Sequence, residues 1–395
     1  MTASPPVSSA TPPADVRTVV VAANGPAVGV DFGPGNSPSG TNGFLEAVRS
    51  RASRVVIRGE FTVVAPTNLG SDVHLEFEDA RLTLGANVNM FQAGGKSNLR
   101  FTGRVRFVGG KDAGFAGFGF LLNGCSNVVF DWSCEVSGFP AAPHKFLING
   151  NPQGTTPGRS FTLRGTTVTR DSTVVRLNDW SEVEVCGVET VPGGLTASVP
   201  LAPVAVLSDG LAGPIHGVYV HDCRMDGGGI QKMSGLVRIV GAVGTGNITG
   251  VRCTDLLLGN MVAVPSAGLA DGLDVNHCRD VTISRVIGGR CCDLVSCISS
   301  QALVTDCAAE DCTGVGILVG DGANQSEPVT DVVVRNCTAT NCGQGLRFVN
   351  AAGIGVASSP GTSTDRVTFE NCRSHDTTGS AQQFGFGFNA VGSIT

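Results

Sequence analysis

Residues 270–300 read ADGLDVNHCRDVTISRVIGGRCCDLVSCISS, and the fold follows from how this stretch is punctuated. Two short β-branched runs, Gly272–Val275 and Val281–Ser284, alternate apolar with polar residues and are split by a polar turn. A glycine-marked turn follows, and a further strand begins at Leu294. The phrase returns at Asp331–Val349 and, more loosely, at Asp365–Phe388. Working outward, strand-like runs recur along the chain, among them Leu99–Val108, Val128–Val136, Gly217–Cys223 and Val251–Leu258. Asp306-Cys307, Asn336-Cys337 and Asn371-Cys372 recur 30 and 35 residues apart at strand ends, and Asp222-Cys223 shares their register. Intervals of roughly 20–35 residues match one coil of a solenoid. A single coil cannot bury its inward side chains, so coils stack about 4.8 Å apart around one shared core.

The expected fold is therefore all-β: a single-stranded, right-handed parallel β-helix. A sandwich of antiparallel hairpins is the competitor, and it needs two-residue Asn-Gly or Asp-Gly turns set directly between strands. Here the pairs at Asn42, Asn123 and Asn149 are followed by polar residues, proline or a helical pattern instead. Residues 1–16 are rich in Pro, Ser, Ala and Thr and are expected to form a disordered arm, leaving 17–395 as one β-helix domain. Phe44–Ser53, with Leu45 and Val48 three apart, is the one convincing helix pattern and is expected to cap the open end of the coil stack. The C-terminal residues 383–395 still read as strand, so another subunit or a loop is the expected cover there, with a homo-oligomer as the partner reading.

Net charge is −6 with no basic cluster, which gives no reason to expect a nucleic-acid partner. No apolar run approaches the roughly 18 residues of a membrane span. The N-terminus has no basic region followed by an apolar stretch, so the expectation is a cytoplasmic or virion-associated protein whose 14 cysteines are reduced; secretion stays open. Cys307/Cys312, Cys337/Cys342 and Cys292/Cys297 share a five-residue offset, which predicts cysteine ladders along the core rather than a four-ligand metal site. Asp306, Asn336 and Asn371 beside them are expected to stack as an Asx ladder. No cofactor and no metal is expected.

Carboxylates mark the strand mouths at Asp271, Asp274 and Asp293, making this coil the first candidate for chemistry. His216, Tyr219, His221 and Asp222 form the densest cluster of acid/base types; Tyr219 and His221 share one strand face by the period of two, and such a pair can remove and return a proton. The plain alternative is a solvated strand face. Lys232 and Arg238, one strand later, are placed to neutralise a carboxylate on a neighbouring coil.

A capping helix followed by coils of this type resembles the pectin-lyase-like superfamily of β-helices over most of 27–395. Within it, 270–349 resembles the family 28 glycoside hydrolases, the polygalacturonases. Ala270-Asp271-Gly272-Leu273-Asp274 echoes their first landmark, Cys292-Asp293 their second, Gly314-Val315-Gly316 their third and Arg347-Phe348-Val349 their fourth. The resemblance implies that Asp271 and Asp293 activate water, Asp274 is a further cleft carboxylate and Arg347 binds a substrate carboxylate. Cys292 stands at the place of the proton donor, Val315 at that of a histidine and Val349 at that of a lysine, so the usual hydrolytic machinery is not expected intact. Three function classes follow: a protein cleaving or modifying an acidic polysaccharide in a cleft on the helix side; a tailspike- or adhesin-type glycan binder; and a lyase, isomerase or cyclase acting on a small molecule. Reduced cysteines, the missing signal and the uncapped C-terminal edge suit the second, and the paucity of Tyr (1) and Trp (2), the usual sugar-stacking platforms, keeps the third in play.

Overall fold

The computed structural model describes the chain except for residues 1–16, 24–28, 37–38, 111–116, 140–145, 152–155, 170–171, 192–201, 211, 231–234, 245–246, 262–270, 321–326, 344–351, 359–360, 378–383 and 390–395. The expected arm at 1–16 lies outside the described residues. Twenty-seven strands form one continuous sheet in which each pairing between strands is parallel, so the expected β-helix is what the chain builds.

The coil at 273–289 shows the construction. Leu273–Gly289 is one 17-residue strand bent through three faces rather than two strands separated by a loop. Leu273–Asn276 lies on the first face, Val281–Ser284 on the second and Val286–Gly289 on the third, each paired with the coils before and after. The first bend runs from His277 (φ 54°) to Asp280 (φ 54°), and the second falls at one residue, Arg285 (φ 53°). A single left-handed residue turns the chain while the ladder continues, and Asp and Asn tolerate that conformation best after glycine. The corner between second and third faces accordingly carries Asp222, Asp255, Arg285, Asp306, Asn336 and Asn371 in successive coils, all at positive φ. Asn336 Nδ2 donates to Asp306 Oδ1 (3.2 Å) and Asn371 Nδ2 to Asn336 Oδ1 (3.4 Å), which is the expected Asx ladder. Arg285, the exception, instead grips Asp255 of the previous coil at 2.6 Å.

Inward positions stack like over like. Val204, Val237, Leu273, Val295, Ile317 and Ile354 are register partners on the first face, and all are fully buried. The core changes character along its axis. Fourteen of the nineteen phenylalanines fall at or before residue 161, and none lies between 162 and 347. Twelve of the fourteen cysteines lie at or beyond 186. Phe91, Phe101, Phe107, Phe120 and Phe130 pack ring on ring at the first end, while sulfur fills the interior bends at the other.

Two sulfur ladders run over three coils each: Cys291, Cys312 and Cys342, and Cys307, Cys337 and Cys372. Cys291 Sγ lies 3.6 Å from Cys312 Sγ. The five-residue offset holds for these two ladders but not for Cys292/Cys297. Cys291 is the ladder partner of Cys312, and Cys297 sits on the first face between Val275 and Val319. All fourteen thiols are free, and only Cys186 and Cys372 are better than fully buried. Burial pushes the Cys223 thiol up to about 12 and holds the Cys253 thiol well above the usual thiol range. A thiol-reactive dye should therefore label Cys186 and Cys372 first in the native protein, with the other twelve titrating only in denaturant. Rapid native labelling of more than two would contradict the packing.

The helix is shorter than its sequence pattern suggests. It covers Phe44–Arg49, because Ser50 Oγ donates back to the Ala47 carbonyl (2.6 Å) and Arg51 turns to φ 59°. It still caps the stack: the Phe44 ring lies 5.3 Å from Phe61 and 5.9 Å from Phe91. At the far end Phe386 and Phe388 are exposed and lie against Phe369.

Candidate functional site

On the first face, core-facing residues alternate with an outward row. Asn149, Arg176, Ala205, Arg238, Asp274 and Ser296 occupy this row in six successive coils. Each is flanked in its own strand by buried apolar neighbours, as Arg176 is by Val175 and Leu177, so strand alternation alone forces these polar groups outward. Arg238 Nε meets Asp274 Oδ2 at 2.8 Å, the neighbouring-coil neutralisation expected of it.

Asp271 and Asp293 stand one coil apart at the corner that leads into this face, tied by the Gly272 N–H to the Asp293 carbonyl (2.8 Å). Asp271 Oδ1 accepts the Asp293 N–H at 3.4 Å, and Asp293 Oδ1 accepts the Val315 N–H at 2.6 Å. Cys292 completes the group: one side-chain ligand atom from each of Asp271, Cys292 and Asp293 lies within 4.8 Å of the other two. The three carboxylates that the sequence singled out are thus brought together, and all are buried, Asp271 at 1%, Asp274 at 2% and Asp293 at 5% exposure. Gly314 lets the group pack directly on its backbone, since a Cβ there would stand 2.3 Å from Asp293 Oδ1 and 2.9 Å from Cys292 Sγ.

Burial, then the charges of Asp293 and Asp274, hold the Asp271 carboxyl well above the usual carboxylate range. Its folded form therefore binds a proton more tightly than its unfolded form. The corresponding stability is fully present below the ordinary carboxylate pKa and is lost as pH rises through the raised folded value. Asp271→Asn, which keeps the shape without the charge, should stabilise the protein at neutral pH by about 1 kcal/mol or more, at about 1.4 kcal/mol per pKa unit removed. The gain should vanish in acid. Urea titrations across the pH range would show it, and a loss of stability at pH 7 would contradict the assigned protonation.

The remaining expected residues do not join this group. Tyr219 and His221 do share an outward row and stack at 4.1 Å, but on the second face, around the corner from the carboxylates. His221 is held there by Asp222 (2.6 Å) and Glu184 (3.4 Å), Tyr219 by Thr254 (3.2 Å) and His216 by Thr249 (2.6 Å). The proposed catalytic set therefore divides into two unrelated surfaces, and the one with His216, Tyr219 and His221 reads as a hydrogen-bonded strand face. Lys232 and Arg347, with Val349, lie outside the described residues. Val315 is buried and offers its backbone N–H, not a side chain, to the group.

Sequence reasoning passed over Arg176. It is half-buried, its guanidinium sits 5.5 Å over the Phe146 ring, and its Nε donates to Asn178 Oδ1 (3.2 Å). Among the described residues no carboxylate pairs with it, and burial alone pulls its pKa down. The only sequence signal was one basic residue in the apolar run Val174–Leu177. A groove of about 620 Å³ runs along the third face past Arg224, Asp226, Asn260, Arg290, Glu310 and Asp311, and none of the expected residues lines it.

No family model and no curated protein matches this chain. Solved structures do. The Dettilon tailspike protein superposes with a TM-score of 0.50 at 14% identity over 95% of this chain and 68% of its own. The endo-xylogalacturonan hydrolase of Aspergillus tubingensis gives 0.49 at 10% identity over 96% and 99%. The surface protein and adhesin PfbA of Streptococcus pneumoniae gives 0.46 at 10% identity over 90% and 95%. Parallel pairing throughout, three strand faces per coil and the superposition on the tailspike protein together show that the chain has a parallel β-helix fold.

Proposed function

We infer that this is a carbohydrate-active β-helix protein that takes an acidic polysaccharide along the outward row of its first face, with Asp271 and Asp293 as the chemical centre at one end. The observation that carries this reading is Arg176. A guanidinium taken half out of water with no carboxylate partner among the described residues costs stability, and an anionic ligand would supply the missing charge. Arg238 lies two coils further on, about 10 Å away at the strand spacing, and Asp274 one coil beyond that. A polymer lying along the axis would meet these groups in turn. At the centre Asp271, its carboxyl held well above the usual carboxylate range, faces Asp293, whose Oδ1 accepts the Val315 N–H, so a carboxyl able to give a proton stands beside a second carboxyl. Their ligand atoms are within 4.8 Å, closer than the 6.5–9.5 Å that an inverting hydrolase needs between acid and base. The pair therefore fits work on a single atom of the substrate better than work on opposite sides of a bond.

The test is a panel of polygalacturonate, alginate and their neutral counterparts, followed by binding, by ultraviolet absorbance of unsaturated products and by reducing ends. Arg176→Gln should weaken binding of the acidic polymer about 10-fold or more, as expected for loss of a charged hydrogen bond worth about 1.5–3 kcal/mol. Binding of the neutral form should not change. An acidic polymer bound equally well by both proteins would remove Arg176 from the reading.

Cys292 and Val315, in place of the acid and histidine of the family resembled, support a second reading in which the glycan is bound and not turned over. Binding without new reducing ends or unsaturated products would select it.

A further inference from the structure

We propose that Asp271, Cys292 and Asp293 form a binding site for a borderline divalent metal ion of the Zn2+ class. The three side chains come from two neighbouring coils and offer two carboxylate oxygens and one sulfur, mutually within 4.8 Å. Donors around a tetrahedral ion with bonds of about 2.0–2.3 Å stand roughly 3.5 Å apart, so small side-chain rotations close the set. All three are at least nine-tenths buried. Among the described residues the Asp271 carboxyl accepts only one hydrogen bond, a long one of 3.4 Å. Two carboxyls and a thiol converging away from water are eased by a bound cation or by shared protons, and Arg238, the guanidinium that acts on Asp271 among the described residues, is engaged by Asp274 at 2.8 Å.

The donor chemistry narrows the ion. A thiolate disfavours Mg2+ and Ca2+, which want an all-oxygen shell, and two carboxylates disfavour Cu+. Zn2+ accepts both ligand types, and three protein ligands leave its fourth position for water or a sugar oxygen. Gly314 lets Asp293 and Cys292 pack directly on the backbone of the next coil, where a Cβ would not fit. Binding releases the Cys292 thiol proton and the Asp271 carboxyl proton to solvent, so charge balances as the ion enters. On this reading Cys292 is not a failed proton donor but a metal ligand in its place. The inference shares its location with the glycan site and otherwise stands apart from it.

The probe is Co2+, added to chelator-treated protein. One ion per chain should bind with a near-ultraviolet sulfur-to-cobalt charge-transfer band that excess Zn2+ displaces. Cys292→Ser should abolish the band, and Asp271→Asn should weaken Co2+ binding on the order of 100-fold. Cys297→Ser, a buried thiol of the same face outside the trio, should leave the band intact, and circular dichroism establishes that each variant folds. No band in the native protein, or a band that survives Cys292→Ser, overturns the proposal. Glycan binding measured on the same chelator-treated sample separates the two readings. Glycan bound without a cobalt band removes the metal and leaves the glycan site, whereas a cobalt band without glycan binding does the reverse.

Discussion

Phe120→Ala is expected to destabilise the protein by about 3–5 kcal/mol, the range for truncating a fully buried aromatic ring. Phe120 has no exposed surface and sits at the centre of the aromatic end of the core. It stacks on Phe91 at 4.9 Å, meets the edges of Phe101 (4.9 Å), Phe107 (5.4 Å) and Phe130 (5.0 Å), and lies 5.9 Å from Trp132. Its neighbours are rigid rings on coils fixed by parallel ladders, so little can move in to fill the space. Flexible side chains would collapse and soften the cost; phenyl rings cannot. Because each coil rests only on its neighbours, the loss should also lower cooperativity, broadening the urea transition as well as shifting it. A cost below about 1 kcal/mol would mean that this end of the core is loosely packed.

Arg238→Met should cost about 3–5 kcal/mol at neutral pH, for the opposite reason. The substitution keeps most of the apolar volume but removes the partner of Asp274, which is 2% exposed and shares its surroundings with Asp271. A buried carboxylate deprived of this guanidinium then ionises at greater cost or takes up a proton. Removing a neighbouring positive charge favours the neutral carboxyl, so the variant should regain stability as pH falls toward the ordinary carboxylate range. The double variant Arg238→Met/Asp274→Leu should recover most of the loss, since removing both partners of a buried pair is often neutral. Urea melts of the four proteins of this cycle, at pH 7 and pH 4, measure it. Additive losses in the double variant would show that the two side chains act separately.

Much of the fold was legible because two local rules repeat. Alternation by two marked the strands, and the Asp-Cys and Asn-Cys pairs at 306, 336 and 371 marked the same corner in successive coils. The site was legible only in part. Asp271 and Asp293, 22 residues apart, fell together because that spacing is one coil. Tyr219 and His221 were placed correctly on one side of their strand, yet a period of two says nothing about which of three faces that strand occupies. Arg176 stayed hidden for a similar reason. In Val174–Leu177 it is one basic letter in an apolar strand, and its meaning appears only when register sets it two coils from Arg238.

The shift from phenyl rings to sulfur along the axis gives the molecule two chemically unlike halves. Oxidants and alkylating agents find almost nothing to modify in the first 124 residues beyond Met1 and Met90, whereas each later coil presents a thiol when it opens, save the one that holds Gly158–Asn178. Each buried cysteine is therefore a reporter at a known height, and the order in which they become alkylated would map where the stack comes apart first.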